Sequence, residues 1–218
     1  MKPLASTFKN IAKDLSEQIN AKQYPGLLIA HFDLFQKTNN LQGSIVNCGF
    51  ASADHFTSFS VVKNMLGFGF PQTQVAFEKQ KRTLYFENTQ SQNGVLHYKT
   101  ENIGFNKIAV KEKLNKHGIG GDIEFVSGYV SDAIPQYLIE NPELKIAFPT
   151  INLDDYEGTM TALQFLYPRL VAGGVLVVDN FYKNEDDYMA ICDYFSYENL
   201  LLKSHDKKQQ THFIVKEQ

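Results

Sequence analysis

The chain has 218 residues, with 21 Lys and Arg against 24 Asp and Glu, for a net charge of −3. That length suits one α/β domain with at most a small extension, and it buries enough core to fold without a disulfide or metal staple. At 43% apolar and 21% charged the chain is neither disordered nor fibrous, and without a basic excess it is not a general nucleic-acid binder.

The opening residues Met1 to Ser6 lead into no apolar run, so no signal peptide is expected, and no window reaches the roughly 18 apolar residues of a membrane span. Leu4, Phe8, Ile11, Leu15 and Ile19 recur at helical spacing and predict a first helix. A second follows Pro25 and carries Leu27, Leu28, Phe32 and Phe35. These residues form an amino-terminal extension over 1–42, expected to act as a lid, with a main domain over 43–218. Their aromatics are expected in the core rather than against a ligand.

After Gly43 the pattern changes. Ser44 to Cys48 predicts a buried strand ending at Gly49, and Asp54 to Leu66 a helix stopped by Gly67 and Gly69. Thr83 to Glu87 predicts the second strand, and the polar stretch 88–104 an irregular loop. Then follow a helix over Phe105 to His117, a strand over Ile123 to Val126, a helix over Asp132 to Ile139 and a strand over Lys145 to Ile151. A long helix spans Asp155 to Leu170 and stops before Gly173 and Gly174. The strand Val175 to Asp179 has four apolar residues in a row and is therefore covered on both faces. A helix over Asp186 to Tyr197 precedes two closing strands, Leu200 to Lys203 and Thr211 to Val215, close enough to pair antiparallel. Strands alternating with helices of this length predict a doubly wound, mostly parallel sheet. Cys48 and Cys192 lack CxxC spacing and are expected as free buried thiols of a reducing, cytoplasmic compartment.

In such sheets ligands bind beyond the carboxyl ends of the strands. Asn47-Cys48-Gly49-Phe50-Ala51 is a glycine turn without a GxGxxG motif, so it is either a ligand loop or an ordinary tight turn. Glu87, at the end of the expected second strand, stands where an acid grips a ribose diol, and no arginine follows to favour a 2′-phosphate. Gly128-Tyr129-Val130-Ser131-Asp132 offers an aromatic ring, with Ser131 or Asp132 as the cap of the next helix. Asn152-Leu153-Asp154-Asp155-Tyr156-Glu157 puts three acids within four residues at a strand-to-helix junction, more than capping requires. One of them can serve as a general base on a hydroxyl. Asn152, Asp154, Asp179 and Asn180 together could hold a hard divalent cation through oxygen atoms. The six histidines show no paired ligand spacing, and most are expected at the surface.

The run from Asn152 to Thr159, then Leu166-Tyr167-Pro168-Arg169-Leu170 and Gly173 to Phe181, resembles the macrocin-type (TylF-like) O-methyltransferases. Gly43 to Phe50 and Phe125 to Pro135 are similar to two further segments of that family, so the resemblance covers about residues 43 to 182 in order. It implies a class I, Rossmann-like methyltransferase fold with a seven-stranded sheet and an antiparallel final strand. It also implies S-adenosylmethionine as cofactor and a sugar hydroxyl as acceptor. Asn47, Gly49, Phe50 and Ala51 would cradle the methionine part of the cofactor, Glu87 the ribose, and Gly128, Tyr129 and Asp132 would lie near the adenine. Asp154 matches the family's general base. Asn152, Asp179 and Asn180 stand at the three aspartates that bind Mg²⁺ in the family; two of the three are asparagines here.

The expected partner is a sugar or sugar-containing small molecule, with no nucleic acid and no membrane, and a homo-oligomer is compatible with the sequence. The alternatives are a non-catalytic binding protein on the same fold and a methyltransferase with a non-sugar acceptor.

Overall fold

The computed structural model describes residues 25–49, 56–57, 59–60, 74–87, 95–102, 107–116, 118, 123–179, 181–196, 201–205 and 211–217. Nine strands are described: β1 (Ser44–Cys48), β2 (Gln74–Phe77), β3 (Gln80–Glu87), β4 (Val95–Asn102), β5 (Ile123–Val126), β6 (Ile146–Ile151), β7 (Val175–Asp179), β8 (Lys203–Ser204) and β9 (Thr211–Val215). Seven of them make one sheet in the order β5-β2-β1-β6-β7-β9-β8. The first five strands of that order run parallel, and β9 pairs antiparallel with both β7 and β8. This is the expected doubly wound sheet with an antiparallel close.

Five α-helices have both ends among the described residues: α1 (Pro25–Phe35), α2 (Lys107–Lys116), α3 (Val130–Glu140), α4 (Tyr156–Leu166) and α5 (Glu185–Phe195). The alternating pleat sends Val46, Cys48, Val75 and Phe77 to one face, where they pack with Ile134, Leu163 and Ile191 of α3, α4 and α5. Ile45, Ala76, Phe148 and Val177 point to the other face, against Phe32 and Phe35 of α1 and Val110 of α2. The phenylalanine-rich composition is used here: Phe32, Phe35, Phe59 and Phe148 form a ring cluster with centroid spacings of 4.9–6.3 Å. Helix α1, assigned above to the amino-terminal extension, thus packs directly on the sheet, and its aromatics are core. Cys48 and Cys192 are buried and free.

Two elements differ from the sequence reading. Strand β2 was not expected, because Val75-Ala76-Phe77 is too short an apolar run to stand out; it is nevertheless wholly buried between two parallel neighbours. Thr83 to Glu87, expected as the second strand of the main sheet, belongs instead to β3, which pairs antiparallel with β4 in a separate two-stranded ribbon. The register Glu87↔Val95 leads β4 back through about half of the segment expected to be loop. Smaller shifts are at helix ends: α3 begins at Val130, so Ser131 and Asp132 lie inside it and Tyr129 holds the cap position. Among the described residues no helix is long and apolar enough to cross a membrane.

Candidate active site

The carboxyl ends of β2, β1, β6 and β7 define one edge, and Gly49 is its tightest point. Its φ is +72°, and a Cβ there would lie 2.1 Å from the backbone oxygen of Asn152. The loop after β6 crosses directly over the end of β1, joined by the Asn152 N–H to the Cys48 carbonyl at 2.9 Å. Only glycine tolerates both the left-handed backbone and the approach. Next along the edge, β2 ends in Phe77, and the following Glu78 is 7% exposed, with the Lys107 ammonium 3.7 Å from its carboxylate.

Asp154 follows two residues after Asn152. Its φ of +52° is a left-handed conformation that side chains rarely adopt, so the surrounding contacts must hold it. Three groups do so. The buried Lys79 ammonium pairs with Oδ2 of its carboxylate, and the Asn184 amide donates to Oδ1. The Asp154 backbone N–H donates to Asp187 Oδ2 at 3.2 Å. The carboxylate itself stays half-exposed, whereas the Lys79 side chain is 10% exposed. An acid held at fixed geometry yet open to solvent can accept a proton from a ligand hydroxyl.

The neighbouring acids have other tasks. Asp155 caps α4, accepting from Gly158 N–H at 2.7 Å and from the Tyr129 hydroxyl at 2.8 Å. Glu157 lies in the first turn of α4, 3.4 Å from the same hydroxyl. Asn184 caps α5 through its Oδ1 while its amide reaches Asp154.

Asp187, in the first turn of α5, is fully buried and accepts from the backbone of Asp154 and from the Thr159 hydroxyl. Burial pushes its carboxyl above the ordinary 3.8, and these hydrogen bonds only partly offset the effect. The folded chain therefore holds this proton more tightly than the unfolded chain. The resulting stabilisation is full below pH 3.8 and is lost as pH climbs through the raised value. Asp187→Asn is expected to flatten the stability–pH curve over that interval, and Asp187→Ala, which strands buried donors, to cost on the order of 3 kcal/mol. Thermal melts of both variants across pH check this; an unchanged curve for Asp187→Asn counts against it.

At the end of β7, Asp179 is buried and already engaged. His31 Nε2, from α1, lies 3.0 Å from Oδ1 and 2.9 Å from Oδ2, so that nitrogen carries the proton. The Thr211 hydroxyl donates to Oδ1 at 3.1 Å. Of the six histidines, most of which are expected at the surface, His31 and His212 are buried.

The structure gathers Gly49, Asn152, Asp154 and Asp179 at one edge and redistributes the rest. Asn47 does not present its amide to that edge: Nδ2 donates to Thr150 at 2.9 Å and Oδ1 accepts from Gln74 at 3.0 Å, inside the sheet. Glu87 lies in the separate ribbon, so the acid at the carboxyl end of the second sheet strand is Glu78. Gly128, with φ +128°, and Tyr129 lead into α3, and Asp132 lies exposed in its first turn. Phe50, Ala51 and Asn180 lie outside the described residues.

Glu78, Lys79, His31, Asn184 and Asp187 were missed. Asp187 was legible in principle, since it shares the buried stripe of α5 with Ala190 and Ile191 at i+3 and i+4.

Comparison with known proteins bears on the fold and the family. The family model "Macrocin-O-methyltransferase (TylF)" matches residues 75–206, more than half of the chain. Two crystal structures of CalS11, a calicheamicin methyltransferase also described as a TDP-rhamnose 3′-O-methyltransferase, superpose with TM-scores of 0.71 and 0.68. Both are 18% identical and cover 94% of this chain and 91% and 93% of theirs. The O-methyltransferase NovP gives a TM-score of 0.64 at 14% identity, covering 86% of this chain and 79% of its own. An O-methyltransferase from Bacillus cereus in complex with SAH gives 0.54 at 13% identity, covering 95% and 91%. No curated protein sequence matches. These structures share the fold, and the family match carries the assignment: the chain belongs to the TylF family of S-adenosylmethionine-dependent O-methyltransferases.

Proposed function

We propose that the enzyme methylates a hydroxyl of a sugar or sugar-containing small molecule, with Asp154 as the general base. The observation that carries this reading is the carboxylate of Asp154: it is held in a left-handed backbone conformation by Lys79, Asn184 and Asp187, yet half of it is open to a ligand. Family membership and the description of CalS11 as a TDP-rhamnose 3′-O-methyltransferase favour a sugar acceptor.

S-adenosylmethionine, when bound, supplies a methyl group activated on a sulfonium. The edge fits that cofactor through its donor set. The Gly49 turn leaves backbone close to a ligand at the end of β1. Glu78, just after β2, would accept two hydrogen bonds from a ribose diol. Gly128, Tyr129 and Asp132 border the same edge and are assigned to the adenine side. Asp154 takes the proton of the acceptor hydroxyl as its oxygen attacks, and the rigid neighbours keep that carboxylate aimed, so alignment supplies much of the acceleration.

Calorimetry with S-adenosylhomocysteine tests the cofactor claim, and Glu78→Gln is expected to weaken affinity by about 10- to 100-fold, the loss of one charge-assisted contact. No heat at millimolar ligand rejects the reading. A methyl-transfer assay with TDP-rhamnose and other nucleotide-linked sugars tests the acceptor, and turnover with catechols alone would replace it.

A further inference from the structure

We propose that His31 and Lys79 take, from within the chain, the place of a divalent cation at the acids of this edge, so that the site works without a metal ion. The inference rests on the reading of Asp154 as the base. Of the oxygen set at the ends of β6 and β7, two members, Asn152 and Asn180, bring no charge. The residues present do not fit Mg²⁺. That ion requires near-octahedral oxygen ligands at short range, and its affinity depends on carboxylate charge. Asp179, one of the two acids of the set, is 4% exposed and accepts at both oxygens from His31, with Thr211 adding a second donor to Oδ1. An ion at that carboxylate would have to displace His31 or share oxygens that already accept from it.

Asp154, the other acid of the set, has its own cation. Lys79 comes from the end of β2, its side chain nine-tenths buried, and its ammonium sits on Oδ2. A buried lysine is expensive to desolvate unless paired, so the pairing is part of the folded design. Each acid thus meets a nitrogen donor supplied by a different element, α1 for one and the β2 end for the other. Among the described residues no group of three His, Cys, Asp or Glu side chains is arranged to hold a metal. The two nitrogen donors and the two asparagines belong together: the acids that would attract an ion are fewer, and those that remain are satisfied internally.

Mn²⁺ titration of the full-length protein, followed by electron paramagnetic resonance with and without S-adenosylhomocysteine, decides the matter. The expected result is no bound Mn²⁺ up to about 1 mM, the weak end of the range for specific divalent sites. Removing either internal donor should open the site: His31→Ala and, with its hydrogen bond kept but its charge removed, Lys79→Gln should each raise Mn²⁺ affinity at least about tenfold, as ligand charge sets affinity. If His31→Ala fails to fold, Lys79→Gln and the wild-type titration still decide. Micromolar Mn²⁺ binding by the wild type overturns the proposal, as does an unchanged affinity in Lys79→Gln. Failure to bind S-adenosylhomocysteine at all counts against the methyltransferase reading instead, and the metal titration stands apart from it.

Discussion

Asp154→Asn is expected to lower turnover by about 10²- to 10⁴-fold while leaving S-adenosylhomocysteine affinity unchanged, the range over which a positioned proton acceptor contributes to rate. The substitution is chosen for the backbone as much as for the chemistry. Asp154 has φ +52°, and asparagine is among the few residues with a side chain that enter that region readily. Its amide oxygen can still accept from Lys79, so the Lys79 contact survives while the proton acceptor is lost. Alanine would confound the result by straining the turn. The measurements are initial rates with the sugar acceptor and calorimetry with the product cofactor. Retained turnover removes Asp154 as the base. Lost affinity for S-adenosylhomocysteine means that the residue holds the cofactor rather than the proton.

Gly49→Ala has the largest expected effect on the fold. The new Cβ would stand 2.1 Å from the Asn152 carbonyl oxygen and 2.9 Å from its carbon, both backbone atoms that no side-chain rotation can clear. Relief requires the end of β1 to move away from the loop after β6, which breaks the hydrogen bond from Asn152 N–H to the Cys48 carbonyl. Left-handed strain adds about 1–2 kcal/mol for a residue with a Cβ. Together these predict a destabilisation on the order of 4 kcal/mol, read as a melting point lower by roughly 10 °C for a chain of this size. Because the same turn lies at the cofactor edge, affinity for S-adenosylhomocysteine should fall in parallel. A variant that melts and binds as the wild type does would show that the crossing is looser than described.

The elements that were legible in the sequence share a physical feature: their own residues carry the signal. Val175 to Val178 is apolar throughout because both faces are covered, and it forms the strand expected. The acids of 154–157 stood out by density, and structure then divided them into a cap, a tyrosine partner and an open carboxylate. What could not be read was set by neighbours. Strand β2 is a strand because β1 and β5 flank it, so Thr83 to Glu87 attracted the assignment; Glu87 ends a strand of the separate ribbon, and the acid that follows the second strand of the sheet is Glu78. His31 and Asp179 are 148 positions apart, and Lys79 and Asp154 are 75 apart, so no local spacing links either pair. The side-chain partners of Asn47 were unreadable for a related reason. A polar residue near the end of a strand looks like a ligand group until its cross-strand partners are known.

Those partners form a chain: the Ser60 hydroxyl donates to Gln74 at 3.3 Å, Gln74 to Asn47, and Asn47 to Thr150. The row crosses β2, β1 and β6 within an otherwise apolar interior. Parallel strands have no tight turn to fix how far each is drawn past the next, and apolar contacts tolerate sliding. A directional donor–acceptor row does not. A one-residue slip of β1 would turn Asn47 to the opposite face and leave its amide, the Gln74 amide and the Thr150 hydroxyl unpaired in the core, each at a cost of about 1–3 kcal/mol. The row therefore works as an alignment gauge for the three central strands. It sets Gly49, Glu78 and Asn152 at one level, so an interior feature with no ligand contact determines where the reacting edge is drawn.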